Sequence, residues 1–238
     1  MGEFKYVGSE LDLFAAVHNW KSYWSGKIRP FIQGDVLEIG AGIGSNTVFL
    51  DRVPRRRWVC LEPDESLLAQ IRDNVQQARS EPVEVVCGTL QSVQSERFDT
   101  LIYIDVLEHI ENDQAELELA ASMLRDGGRI IVLSPAHQFL FTAFDSAIGH
   151  FRRYDTTMMR TLTPSTVCLD RLFYLDSAGM MLSLANRMLL KQSMPTQQQL
   201  GFWDRCVIPF SRALDPLLFG SFGKSIVAIW KKPVGGAK

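Results

Sequence analysis

Val36-Leu37-Glu38-Ile39-Gly40-Ala41-Gly42-Ile43-Gly44 is the most informative stretch of the chain. A short apolar run, Asp35 to Ile39, passes without a break into glycines spaced G-x-G-x-G, and Asn46 to Val53 then reads as a helix. A strand that ends in glycines lets backbone approach a ligand closely, and the start of the next helix offers unpaired N–H groups. A dinucleotide-binding G-x-G-x-x-G would need glycine at 45, where this chain has Ser45. Glu38, just ahead of the first glycine, would repel a pyrophosphate but suits an ammonium or a sulfonium.

Working outward, Trp58 to Leu61, Val83 to Cys87, Asp99 to Ile104 and Arg129 to Leu133 are further short, almost continuously apolar strands. Between them, Asp64 caps a helix with Leu67, Leu68, Ile71 and Val75 on its apolar face, and Ile110 to Leu124 forms another, closed by Gly127-Gly128 at its C-cap. Upstream, Ser9 to Gly26 reads as one amphipathic helix carrying Leu11, Phe14, Val17, Trp20 and Trp24. Downstream, Val167 to Leu175 and Ser225 to Trp230 are the last strands, separated by a partly helical, Met-rich insertion at about 177–220. Alternating strands and helices of this kind predict an α/β fold with a doubly wound, mostly parallel seven-stranded sheet.

The 238 residues, 46% hydrophobic and 22% charged, fit one folded domain over 1–238. Lys plus Arg minus Asp plus Glu is 25 − 27 = −2, so no global positive field advertises nucleic acid. The longest stretch free of charged side chains, Ile130 to Phe144, is too short and too broken to span a bilayer. Met1 to Glu10 has no secretory pattern, and Cys60, Cys87, Cys168 and Cys206 form no C-x-x-C pair, so a reduced, cytoplasmic protein is expected. The histidines show no metal-ligand spacing, and no metal is expected. The sequence leaves peripheral membrane contact and oligomeric state open.

Glu62, at the end of the second strand, stands where an acidic side chain accepts hydrogen bonds from the two ribose hydroxyls of an adenosine ligand. At these residues the sequence resembles class I S-adenosylmethionine-dependent methyltransferases. Glu38 to Gly44 looks like their glycine motif, and Leu61-Glu62-Pro63-Asp64 like their ribose-binding acidic motif. Asp99 to His109 is similar to their fourth-strand segment, and Leu124 to Val132 to the stretch entering their fifth strand. The likeness runs over residues 20 to 135. Beyond it, Gly149-His150-Phe151-Arg152-Arg153-Tyr154 is similar to a segment of bacterial small-molecule members.

The resemblance implies a Rossmann-like methyltransferase fold with S-adenosylmethionine as cofactor. It divides the chain into an N-terminal lid helix (1–34), a cofactor-binding core (35–134) and a substrate-side segment (135–238). It implies methyl transfer to a small-molecule acceptor, at oxygen ahead of nitrogen, by in-line displacement. The rival expectation is a catalytically silent subunit that holds the cofactor or a partner. The implied cofactor residues are Tyr23, Glu38, Gly40, Gly42, Gly44, Asn46, Glu62, Pro63, Thr89, Leu90, Asp105 and Val106. Two departures stand out. Cys87-Gly88-Thr89-Leu90 lacks the acidic residue that often meets adenine, leaving backbone groups or the Thr89 hydroxyl, and Asp126 replaces the proline of a Pro-Gly-Gly turn. Asp105-Val-Leu-Glu108 stands where nucleic-acid subclasses carry Asx-Pro-Pro-aromatic, which argues against a nucleic-acid acceptor.

His150 and His137, both beyond the fifth strand, are the candidate general bases, whereas His109 reads as a capping or core residue. Arg152 and Arg153, with Tyr154, suit an anionic substrate group, the alternative being ion pairs with Asp145 or Asp155. Phe139, Phe141, Phe144 and Phe151 read as core packing ahead of a pocket lining, as do Met180, Met181 and Met188, although a Met-rich insertion could cover a lipid-like or aromatic substrate. Arg52 and Arg55 to Arg57 read as a solvated loop.

Overall fold

The computed structural model describes residues 10–50, 53–78, 82–189 and 196–235. Two helices, α1 (Glu10–Ala15) and α2 (His18–Ile28), precede the first strand, β1 (Asp35–Ile39). Then come α3 (Thr47–Leu50), β2 (Arg57–Glu62), α4 (Leu68–Ala78), β3 (Glu84–Cys87), β4 (Phe98–Ile104), α5 (Asp113–Met123) and β5 (Leu124–Pro135). The second half holds α6 (Ala143–Ala147), α7 (Thr156–Thr161), β6 (Cys168–Leu175), α8 (Ser177–Leu189), α9 (Gln197–Phe202), α10 (Ile208–Leu214) and β7 (Ser225–Lys231).

The seven strands form one sheet in the order β3-β2-β1-β4-β5-β7-β6. β3, β2, β1, β4 and β5 run parallel, and β7 pairs antiparallel with both β5 and β6. The strands are apolar on both faces because both faces are covered. In β4, Leu101 and Tyr103 pack with Leu117, Met123 and Trp230 on one side, while Ile102 and Ile104 pack with Trp24, Trp58 and Ile229 on the other. Strand order reverses between β1 and β4, and such a reversal opens a crevice at the carboxyl ends of the strands.

Two local expectations are corrected. The N-terminal helix is two pieces, because Val17 is extended (φ −86°, ψ 90°) between α1 and α2. The start of α2 has no side-chain cap of its own. The remote Asp204 takes that role, accepting the N–H groups of Trp20 at 2.9 Å and Asn19 at 3.2 Å. Gly127-Gly128 does not cap α5, which ends at Met123 with Leu124 as C-cap; the pair lies within β5, where a Cβ at Gly128 would stand 2.8 Å from the Arg125 carbonyl. The insertion between β6 and β7 is helical in its described part: α8, then α9 joined to α10 by a π-helical turn, Trp203–Val207. It is fastened by buried carboxylates. Asp215 accepts the N–H groups of Asp176 (2.8 Å) and Ser177 (3.0 Å), and Asp176 accepts from Trp203 Nε1 (2.9 Å).

Candidate active site

The carboxyl ends of β1, β2 and β4 open into a cavity of about 1680 Å³. Its floor is Gly40, Gly42, Ser45, Asn46, Glu62, Pro63, Asp105 and Val106. Residues of α1 and α2, among them Leu11, Phe14, Trp20 and Lys21, cover one side, and Phe144, His150, Phe151, Leu182 and Phe202 line the other. Phe144 and Phe151 therefore face the cavity rather than the core, and Phe139, half exposed, lies against His137.

The chain turns off β1 through left-handed backbone at Gly40 (φ 63°) and Gly42 (φ 58°). A Cβ at Gly40 would stand 2.6 Å from Val106, whereas one at Gly42 would meet only Leu11, at 3.3 Å, and would otherwise project into the space the glycine leaves open. The Gly42 N–H donates to Glu62 Oε2 (2.8 Å) and the Asp64 N–H to Oε1 (3.0 Å), so the Glu62 carboxylate is braced while keeping further lone pairs. Burial raises its pKa, and the two backbone bonds oppose that rise.

Five residues assigned to the cofactor do not line this cavity. The Tyr23 hydroxyl donates to Asp215 (2.7 Å), on the insertion side of α2. Glu38 is buried behind the glycines, accepting from Trp58 Nε1 at 3.0 Å. Gly44 (φ 75°) is a packing glycine whose Cβ would press Ile71 Cα at 3.3 Å. Leu90 belongs to the core, and Thr89 begins the 3-10 turn that carries it.

Two charged groups stand at the floor: Lys21, which sequence reasoning missed, and Asp105, which it assigned to the cofactor. Lys21 is buried and donates to Ser45 Oγ (2.7 Å); burial lowers its pKa to about 8, against the pull of Asp105, Glu38 and Asp204. Its signal was a lysine set among Trp20, Tyr23 and Trp24 on α2. Asp105 adopts φ 54° and keeps accessible surface within the cavity, but the protein packed around it pushes its carboxyl up to about 6, opposed by His150 and Lys21.

On the far side stands a linear arrangement of charges. Asp145, fully buried, lies 3.0 Å from His150 Nδ1 and accepts two bonds from Arg153, at 2.8 and 3.0 Å, and two more from Thr142. Burial opposes ionisation of Asp145, yet the bonds from His150 and Arg153 outweigh it and hold the carboxyl well below its usual range. An ionised Asp145 accepts only, so Nδ1 of His150 carries the proton and a neutral ring leaves Nε2 as acceptor. Nε2 lies 3.8 Å from Glu108 Oε1, a buried oxygen with no hydrogen-bond partner among the described residues. Burial, then Asp105, raises the Glu108 carboxyl well above its ordinary value. His109 packs edge-on against His150 at 4.6 Å and lines the cavity, and burial lowers its pKa to about 4. Among the described residues, Glu108, His109 and His150 each bring one ligand atom within 4.8 Å of the others, a grouping that their spacing in the sequence did not announce.

Other candidates are engaged elsewhere. His137 (φ 66°) stacks on Tyr174, with Nε2 3.1 Å from the Gly223 carbonyl, and it does not line the cavity. Arg152 pairs with Asp113 (2.7 Å) and donates to the carbonyls of Ile110 and Glu111. The buried Tyr154 hydroxyl lies 2.9 Å from Asp113 Oδ2. Arg153 faces the cavity, but its guanidinium is committed to Asp145. Arg56 and Arg57 pair with Asp35, Asp99, Glu84 and Glu96.

Residues 36–128 match a family model described as a methyltransferase domain. This chain carries a class I S-adenosylmethionine-dependent methyltransferase domain. No curated protein matches the sequence. Solved structures similar to this methyltransferase include the N-methyltransferase NodS from Bradyrhizobium japonicum WM9, in complex with S-adenosyl-L-homocysteine. It has TM-score 0.58 and 12% identity, over 92% of this chain and 88% of that one. An S-adenosylmethionine-dependent methyltransferase from Clostridium acetobutylicum ATCC 824 has TM-score 0.58 and 11% identity, over 94% and 96%. The [4+2]-cyclase SpnF has TM-score 0.61 and 14% identity, over 90% and 81%. At these identities the likeness shows the fold. S-adenosylmethionine is the cofactor, and a braced carboxylate beside a glycine loop that a Cβ would fill suits it.

Proposed function

We propose that this methyltransferase acts on a small-molecule hydroxyl, with His150 as general base. S-adenosylmethionine, when bound, supplies an electrophilic methyl group on a sulfonium that leaves as a neutral thioether. Glu62 would hold the ribose hydroxyls, Lys21 the carboxylate of the amino-acid end and Asp105 its ammonium, each charge meeting its opposite at the cavity floor. Gly40, Gly42, Asn46, Pro63 and Val106 shape the same floor.

The observation that carries the reading is the His150–Asp145–Arg153 arrangement, which fixes the tautomer of His150 and points its accepting nitrogen toward the unpartnered Glu108 oxygen. An acceptor hydroxyl seated there gives its proton to Nε2 and meets Glu108 Oε1 as a second partner. The imidazolium so formed is stabilised by Asp145 at 3.0 Å. Positioning on an enclosed floor supplies most of the rate, roughly 7–11 kcal/mol for well-oriented reactants, and the base adds about two to four powers of ten. An amine acceptor that arrives neutral needs no base until after transfer, so the built base favours oxygen.

The test is release of S-adenosylhomocysteine with paired hydroxyl and amine acceptors. Hydroxyl compounds should turn over, and His150→Ala should slow them by about 10²–10⁴ with cofactor affinity kept. Turnover of amines alone, or an unchanged rate in His150→Ala, would contradict the assignment. No turnover with any acceptor, despite cofactor binding, would favour a silent binding subunit.

A further inference from the structure

The segment from Phe202 to Leu217, helical as far as Leu214 and then a turn, has its polarity reversed. A helix on a water-facing surface normally turns its carboxylates outward and its aromatics inward. Here Asp204, Ser211 and Asp215 are buried, while Phe202, Phe210 and Leu217 are 56%, 62% and 72% exposed. Phe202, Cys206, Phe210 and Ala213 are exposed and follow one another at spacings of four, four and three, one stripe along the helical surface, and the exposed Leu217 in the turn beyond continues it at a spacing of four. Phe219, just beyond, is 92% exposed, and Met181 on the adjoining α8 is 58% exposed. Single exposed apolar residues are ordinary; a stripe of them on a helix that hides its acids is not.

The charges that do reach this surface have one sign. From 177 to 223 the sequence contains two acidic residues, Asp204 and Asp215, and both are buried. Arg205 and Arg212 lie exposed beside the apolar stripe. Leu182 and Phe202 belong both to this face and to the lining of the active-site cavity, so the stripe continues into the cavity mouth.

We propose that this face docks on an anionic lipid surface, with Phe210, Leu217 and Phe219 entering the acyl boundary and Arg205 and Arg212 meeting lipid phosphates. Apolar insertion and positive charge are the two components of interfacial binding, and the negative sign of the whole chain requires that the attraction be local. Docked this way, the cavity opens toward the lipid, which suits an acceptor with an apolar body.

Vesicle co-sedimentation tests this without reference to methyl transfer, so it stands or falls apart from the reading of His150. The full chain should pellet with vesicles of phosphatidylcholine mixed with phosphatidylglycerol, and less as salt rises. It should stay in solution with phosphatidylcholine alone. The double variant Phe210→Glu, Leu217→Glu should lose roughly tenfold or more of that binding, with an unchanged circular dichroism spectrum and cofactor affinity. Arg205→Glu, Arg212→Glu should do the same and carries the test if the first variant does not fold. Failure to pellet, equal binding to neutral vesicles, or variants that pellet like the wild type would overturn the proposal. A wild-type dimer in light scattering that Phe210→Glu, Leu217→Glu turns into monomer would overturn it too, by assigning the face to a second copy.

Discussion

Replacing Asp145 by Asn keeps the shape of a fully buried side chain and removes its charge. In the native structure Oδ1 faces two donor groups, His150 Nδ1 and Arg153 Nε, and Oδ2 faces three, from Thr142 N–H, Thr142 Oγ1 and Arg153 Nη2. Whichever way the amide is turned, its NH₂ points at one nitrogen of a guanidinium that is only 11% exposed and cannot accept. Removing one partner of a buried ion pair costs about 3–5 kcal/mol. For a chain of this size that is a fall in melting temperature of about 6–20 °C. The sign with pH follows from the depressed carboxyl. The stabilisation is complete above the unfolded aspartate value of about 3.9 and is lost as the pH falls below it, so the wild-type advantage should shrink in acid. The chemical effect is separate. With Asn as acceptor or donor, the His150 ring can take either tautomer, and one of them puts the proton on Nε2, where the base must accept. Turnover should drop by about 10²–10⁴ with little change in cofactor affinity. Differential scanning calorimetry across pH and single-turnover kinetics make the measurement. An Asp145→Asn enzyme that melts and turns over like the wild type would refute the reasoning.

Glu62→Ala should weaken cofactor binding at least tenfold by calorimetry, because each hydrogen bond to a charged group is worth about 1.5–3 kcal/mol; an unchanged dissociation constant would remove Glu62 from the ribose. Cofactor affinity should be greatest between about pH 6 and 8, falling below as Asp105 takes a proton and above as Lys21 loses one. Lys21→Met should abolish the alkaline limb and Asp105→Asn the acid limb; variants that keep both limbs would contradict the floor assignments. Treatment with a chelator should leave turnover unchanged if Nε2 of His150 accepts a proton, whereas loss of turnover restored by a divalent cation would make Glu108, His109 and His150 ligands instead.

The cofactor half was legible because its physics is local. Five short apolar strands, a glycine loop and a carboxylate at the end of β2 each follow from residues that are neighbours in the chain. Gly40, Gly42 and Glu62 meet because β1 and β2 pair in register, Ile39 against Leu61. The five cofactor assignments that lie outside the cavity lining came from a motif likeness, and a motif places a residue on an element but says little about which side of a twisted layer it faces. Tyr23 and Lys21 lie two residues apart on α2, and only packing against the insertion turns Tyr23 to Asp215 and leaves Lys21 over the glycines.

The substrate side was another matter. His150, Arg152, Arg153 and Tyr154 stand together in sequence, yet the structure sends Arg152 and Tyr154 to Asp113 and keeps Arg153 with His150 at Asp145. By itself the sequence determined the order of the strands along the chain, the parallel sheet, the glycine loop and its cofactor, since alternating apolar runs, turn glycines and charge at a strand end act over a few residues. Only the tertiary structure decided that His150 and His109 face the cavity while His137 does not, that Glu108 joins them, and that Asp204 and Asp215 lie inside while aromatics go out. Those outcomes depend on buried charges finding partners far along the chain, and the energy of such a pair is set by the enclosure around it.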